Sequence, residues 1–332
     1  MKKILSVVLA LMLALSLLAG CGSAAPASSA AQESTPASAA PASGEKIKIG
    51  IVQIVEHPSL DQIRKAFTDE LAAEGYDDSK VEIDYQSAQG EMSNVTSICQ
   101  KFVGDKVDMI VAIATPSAQG AAAATSDIPI IFSAVTDPVG AELVNSLDAP
   151  GGNCTGTSDA IPTDQIFSLA DELTPGIKTY GFIYNLSEVN SVSVIKDAKA
   201  YLDSKGIKYE EATVANVGEL TTAAESLVGK ADAFFSPIDN TVASGMVTVA
   251  DIAAKNKIPY YVSADSMVND GGLATVGVDY TQLGKQTAEM AVKVLKGASP
   301  ATMPVETMKT YTTTVNSDTA KALGVDVSKY VK

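Results

Sequence analysis

"KIGIVQIVEHPSLDQIRKAFTDELAAEGY" (48–76) and "YGFIYNLSEVNSVSVIKDAKAYLDSKGI" (180–207) have one form between them. Each opens with an apolar run, passes through a polar loop, carries apolar residues at helical spacing and stops at a glycine. Gly50 to Gly75 and Gly181 to Gly206 are equally spaced. The correspondence continues downstream. "VEIDYQSAQGEMSNVTSICQKFVGDK" (81–106) is echoed by "YEEATVANVGELTTAAESLVGK" (209–230), and "DMIVAIATPSAQ" (108–119) by "DAFFSPIDNTVA" (232–243). "IPIIFSAVTDPV" (128–139) returns as "IPYYVSADSMV" (258–268). The chain is an internal duplication.

Each copy alternates strand and helix patterns, which predicts an open parallel sheet covered on both faces. Right-handed crossovers leave little topological freedom. In such sheets ligands bind outside the carboxyl ends of the strands, so two sheets with those edges facing enclose a cleft. The expected fold class is α/β, with two Rossmann-like lobes of parallel sheet joined by a three-segment hinge. "GGNCTGTSD" (151–159) makes the first crossing and "NDGGLATVGVDY" (269–280) the second, ahead of the helix "TQLGKQTAEMAVKVLKG" (281–297). The last segment, "ETMKTYTTTVNSDTAKALGV" (306–325), is expected to finish the second lobe. The expected boundaries are 46–157 plus 277–301 for the first lobe and 158–276 plus 302–332 for the second. Hinges of this kind absorb closure around a ligand.

Ahead of the first strand, "MKK" and "ILSVVLALMLALSLL" form a basic start and an apolar run too short for a stable span, as in a secretory signal peptide. "LAGC" (18–21) resembles the lipobox of bacterial lipoproteins, which implies cleavage before Cys21 and acylation of that cysteine. Residues 22–45 are Ala, Ser and Pro with almost no bulky apolar side chain. They cannot bury enough surface to offset ordering entropy and read as a disordered tether. The expected place of the folded body is the extracytoplasmic face of the cell membrane.

With 24 Lys and Arg against 39 Asp and Glu, the net charge is −15. Nucleic-acid binding needs a basic face, so that class is excluded. Cys99 and Cys154 are isolated and no metal-ligand spacing occurs, so neither a disulfide framework nor a metal is expected. His57 is the one histidine. A hydrolase would need an activated nucleophile beside it, yet no nucleophile elbow, phosphate-binding loop or dinucleotide fingerprint is present. The reading is a binding protein without a cofactor.

The segments "VEHPSLD" (55–61), "ATPSAQ" (114–119), "FSAVTDPVGAELV" (132–144), "GTSD" (156–159), "YNLSEVNS" (184–191), "DNTVAS" (239–244) and "GVDYTQLGKQTAEMAVKVLKG" (277–297) carry a family likeness. The chain resembles the type I periplasmic binding proteins, and within them the lipoprotein substrate-binding components of ABC importers for tryptophan, tyrosine and related amino acids. The resemblance covers 46–332. It implies a small solute, a permease and a separate ATPase as partners, and a preference for aromatic amino acids. A sensory protein presenting the same cleft to a signalling partner is the alternative.

The candidate site residues lie at predicted strand ends. Thr115, Pro116 and Ser117 open a helix, where hydroxyls suit capping and free N–H groups attract an anion. Thr136 and Asp137 follow the next strand, although Asp before Pro also starts turns. Ser158 and Asp159 fall at the first crossing, where hinge and binding roles compete. Tyr184, Asn185, Glu188 and Asn190 crowd one loop. Asp239, Asn240 and Thr241 form a second possible cap, with Asp239 the counterpart of Thr115, and Asp265 ends the echoing strand. Glu56 and His57 line the cleft or cap the first helix. For an amino acid, Thr115 and Ser117 would hold the carboxylate and Asp239, Asp137 or Glu188 the ammonium. Phe132, Tyr184 or Tyr280 would wall an aromatic ring.

Overall fold

A computed structural model describes residues 45–331. The expected signal peptide, the lipobox with Cys21 and all of the tether except Glu45 lie outside the described residues. The first copy runs β1 (Ile47–Gln53), α1 (Pro58–Ala73), β2 (Val81–Ser87), α2 (Met92–Gly104), β3 (Met109–Ile113), α3 (Thr115–Ala124), β4 (Ile130–Ser133) and β5 (Cys154–Ser158). After α4 (Thr163–Leu173) the second copy runs β6 (Thr179–Asn185), α5 (Val189–Lys205), β7 (Lys208–Val214), α6 (Leu220–Leu227) and β8 (Ala233–Ser236). It continues through α7 (Asn240–Ser244), α8 (Met246–Lys255), β9 (Tyr260–Val262), α9 (Asp265–Asn269) and β10 (Ala274–Gly277). Then come α10 (Tyr280–Leu295), β11 (Glu306–Thr307), β12 (Thr312–Val315) and α11 (Ser317–Leu323).

The sheets repeat one another. The first has the order β2-β1-β3-β4-β5-β11 and the second β7-β6-β8-β9-β10-β12. All pairings are parallel except β10 with β12, which is antiparallel. β3 is buried along its whole length because helices cover both faces, which explains its unbroken apolar run. α1 starts at Pro58 and buries Leu60, Ile63, Phe67 and Leu71, the stripe its helical spacing predicts. Burying each such side chain contributes roughly 1.5–3 kcal/mol. α5 ends at Gly206, whose left-handed φ of 68° stops the helix without a Cβ penalty. In the second lobe the aromatic residues pack on one another: Phe167 stands edge-on to Tyr180 at 5.0 Å and stacked on Tyr201 at 5.4 Å.

One boundary differs from expectation. β11 pairs with β5, Glu306 opposite Thr157, so residues 302–307 join the first lobe rather than the second. Thr155 Oγ1 donates to the Met303 carbonyl at 2.8 Å, and Val305 N–H donates to the Leu147 carbonyl at 2.8 Å. The last crossing therefore falls between Thr307 and Thr312. Only long-range pairing fixes it, since two residues of strand leave no period in the sequence.

α10 brings the chain back to the first lobe by packing against α1. Its start is capped by Asp279, which accepts from the Thr281 and Gln282 N–H groups at 2.8 and 3.1 Å. Contact is close at Gly284, where a Cβ would lie 2.5 Å from the Ile63 carbonyl oxygen and 2.8 Å from the Ala66 Cβ. Alanine there gains about 1 kcal/mol of helix propensity. Overpacking against backbone costs about 1–3 kcal/mol, and the backbone cannot rotate away. Gly284→Ala should therefore lower the denaturant midpoint at unchanged slope. A variant as stable as the parent would show that α10 is free to lift off α1.

Candidate ligand-binding cleft

The carboxyl ends of both sheets face a common cleft, and a cavity lies within it. His57, Ser59, Leu60, Ala114 and Ala134 line it from the first lobe, and Asn190, Ile238, Asp239, Asn240, Ala243, Ala264 and Met267 from the second. Asp159 and Tyr280 contribute from the first two crossings. The cavity has a volume of about 360 Å³.

Three hydrogen bonds tie the lobes together across this cleft. His57 Nε2 lies 3.3 Å from Asn240 Oδ1, Ser59 Oγ 2.6 Å from Ser266 Oγ, and Ser193 Oγ donates to Asp137 Oδ2 at 2.8 Å. The arrangement is closed. Asp137 also accepts from the Gly140 N–H at 2.8 Å, so its carboxylate makes a turn and a lobe-to-lobe contact. It does not line the cavity.

The acidic groups expected in the second lobe to meet an ammonium are engaged in hydrogen bonds within that lobe. Glu188 accepts from the Asn240 N–H and Nδ2 at 3.0 and 2.6 Å, and from the Thr241 N–H and Oγ1 at 3.0 Å each. Asp239 caps α7 through the Val242 N–H at 2.8 Å, while its other oxygen accepts from the Asn185 N–H and Ser191 Oγ at 2.7 Å each. These two carboxylates satisfy the orphan donors of a buried helix start. Burial and the neighbouring Glu188 push the Asp239 carboxyl up.

Asp159 is different. It is fully buried; Thr136 Oγ1 donates to Oδ1 at 2.8 Å, while Oδ2 has no donor on it. The Tyr280 hydroxyl lies near the carboxylate without making a well-formed bond. Burial pushes the carboxyl up to about 6, against the opposing pull of the Thr136 hydroxyl, its own backbone N–H and the nearby Tyr280 hydroxyl. Asn190 Oδ1 and His57 Nδ1 are also buried and unpaired. Asn190 Nδ2 donates to the Ile238 carbonyl at 2.6 Å, which fixes its amide orientation.

The expected caps on α3 do not form. Thr115 and Ser117 are inside the helix, the N-cap position is Ala114, and no side chain bonds there. Both hydroxyls are buried without partners. Ala114 has φ 75° and ψ 156°, a region that is nearly glycine-only and costs of order 1–3 kcal/mol. Ala134, at the end of β4, has φ 56°. Both strained residues line the cavity.

The remaining candidates fall elsewhere. Glu56 is exposed and accepts from Tyr85 at 3.3 Å. His57 stands at the N-cap of α1 without a capping bond and turns to the cleft. Tyr184 is occupied with Glu211 at 2.6 Å, and Phe132 is buried core, so Tyr280 alone of the three expected aromatics lines the cavity. Ser158 Oγ donates to the Thr136 carbonyl inside the first crossing. Asp265 bonds the Ser266 N–H and does not line the cavity. Pro116, Asn185 and Thr241 line a neighbouring interlobe groove of about 1060 Å³. Ser59, Ala114, Ala134, Ile238 and Ala264 were not among the expected residues. The duplication held a signal for them, since Ala114 matches Ile238 and Ala134 matches Ala264 between the copies. Among the described residues no His, Cys, Asp and Glu cluster is placed to hold a metal, and no helix is long and apolar enough to cross a membrane.

A family profile described as ABC transporter substrate binding protein matches residues 48–332. A relative called tyrosine-binding protein, from Clostridioides difficile, is 44% identical and covers 100% of this chain and 96% of its own length. A Streptococcus pneumonia ABC domain structure in complex with L-Trp shares 43% identity and a TM-score of 0.84, covering 86% of this chain and 99% of its own. A substrate binding protein with adhesive properties from Clostridium difficile, in a ligand-free, open structure, shares 44% identity but a TM-score of 0.66, covering 86% of this chain and 98% of its own. At similar identity the chain superposes better on the L-Trp complex than on the ligand-free, open structure, and its own lobes are bridged by hydrogen bonds across the cleft.

The Asp159 carboxyl yields a signed prediction. Its value rises from 3.8 to about 6 on folding, so between those values the folded chain holds a proton that the unfolded chain lacks. The stabilisation is fully present below 3.8 and lost as the pH rises through 6. On going from pH 7 to pH 5, the ligand-free parent should gain about 1 kcal/mol relative to Asp159→Asn. Urea titrations at the two pH values measure this difference. A difference that stays constant would mean the carboxyl titrates normally.

Proposed function

The chain belongs to the ABC transporter substrate binding protein family, and from that premise we propose that it captures an aromatic amino acid between its lobes and delivers it to a permease driven by a separate ATPase. It is a binding protein, not an enzyme. One observation carries the ligand class: the unpaired polar side-chain atoms among the residues lining the cavity are all acceptors, namely Asp159 Oδ2, Asn190 Oδ1 and His57 Nδ1. No lysine or arginine lines it. Two of these buried unpaired acceptors, the Asp159 carboxylate oxygen and the Asn190 amide oxygen, favour a small cationic group with several N–H donors, which a primary ammonium supplies.

The carboxylate of the same solute has donors beside the cavity. The first turn of α3 offers free N–H groups and the unpaired Thr115 and Ser117 hydroxyls, and a helix N-terminus favours negative charge. The apolar part of the lining, including Leu60, Ile238 and Met267 with Tyr280, suits a hydrocarbon or aromatic side chain. The aromatic choice is supported by the relatives, one called tyrosine-binding and one holding L-Trp. Asp159 sits at a crossing between the lobes, so a solute held there stabilises the closed form over the open one.

Titration calorimetry with L-tyrosine and L-tryptophan tests the reading. A charged hydrogen bond contributes about 1.5–3 kcal/mol, so Asp159→Asn should weaken binding about tenfold to a hundredfold. Thr115→Ala should weaken it by a smaller factor. Binding by Asp159→Asn equal to that of the parent would overturn the ammonium assignment.

Retention at the membrane is the second part of the proposal, with Cys21 as the lipidated residue. One acyl chain gives an association constant of only about 10⁴ M⁻¹, so stable anchoring needs at least two chains. Cys21→Ala should be unprocessed or leave the membrane fraction, and lipid labelling of that variant at the parental level would refute the anchor.

A further inference from the structure

We propose that His57 selects solutes whose side chain carries a hydrogen-bond donor, favouring tyrosine and tryptophan over phenylalanine. This rests on the amino-acid reading above and extends it to the side chain. The argument begins at Glu188 rather than at the histidine. Glu188 takes the Asn240 N–H and Nδ2, which fixes the side-chain amide with Oδ1 turned away from the carboxylate. That oxygen meets His57 Nε2 at 3.3 Å. Oδ1 cannot donate, so Nε2 carries the proton.

Burial lowers the His57 pKa below its ordinary value, so the ring is neutral at neutral pH. A neutral imidazole with its proton on Nε2 has a bare lone pair on Nδ1. That nitrogen is buried, has no partner, and belongs to a residue that lines the cavity. A phenol O–H or an indole N–H can donate to it. A phenyl ring leaves it unpaired in a closed cleft, and a site built to accept from a ligand rejects the analogue that cannot donate. The ammonium has Asp159 and Asn190 to meet it from the crossing and the second lobe. His57 belongs to the first lobe, so the ligand side chain completes a relay through His57 and Asn240 to Glu188 that spans both lobes.

Calorimetry with tyrosine, tryptophan and phenylalanine on the full protein tests this. The readout is the affinity ratio, because losing the His57–Asn240 bond weakens closure around every ligand by the same factor. The parent should bind tyrosine and tryptophan about tenfold to a hundredfold more tightly than phenylalanine. His57→Phe, which keeps the ring volume, should collapse that ratio to near one, and His57→Gln, which keeps a donor and an acceptor, should restore part of it. Thermal midpoints of both variants report whether they fold. A parent that binds phenylalanine as tightly as tyrosine overturns the inference, as does an unchanged ratio in His57→Phe. If no amino acid binds the parent at all, the amino-acid reading falls and takes this inference with it.

Discussion

A carboxylate with one oxygen unpaired inside a closed cleft is the constraint on which the rest of this molecule turns. Leaving Asp159 Oδ2 without a donor costs stability, because a buried charge without a full set of partners loses its hydration and receives little in return. The cost falls at the end of β5, where the chain first leaves one lobe for the other. A ligand group that satisfies the oxygen therefore acts on the place that sets the angle between the lobes.

The acidic groups around it are arranged so that Asp159 stays available. Glu188 and Asp239 are consumed in holding the start of α7, and Asp137 in a turn and a lobe contact. Their hydrogen bonds make the second-lobe wall rigid, and that rigidity fixes Asn240 and, through it, His57 across the cleft. On the first-lobe wall the strain is in the backbone. Ala114 and Ala134 hold positive φ values where β3 and β4 end, and the surrounding sheet over-determines them. The small side chains at these positions leave the cavity its space.

Much of the fold could be read from the repeat. Equal spacing from strand to glycine in the two copies predicted two like sheets, and their strand orders agree. The carboxyl-edge rule located the cleft, and His57, Asn190, Asp239, Asn240 and Asp159 all line its cavity. Reading both copies together would have gone further. His57 matches Glu188 and Ser59 matches Asn190 between the copies, and all four stand at the cleft or bond a residue that does.

What the sequence determined by itself is periodic or compositional: duplication, alternation of strand and helix, the acidic balance, the amphipathic faces. These follow from local chemistry repeated many times, so they survive without coordinates. The tertiary structure alone decided which carboxylate was free. Asp137, Asp159, Glu188 and Asp239 are equivalent as letters at strand ends, and they differ only in how many donors fold onto each. That number depends on helix starts, turns and lobe contacts brought together from distant segments. The short strand β11 joined the first lobe for the same reason, since two residues pair only where another strand already lies.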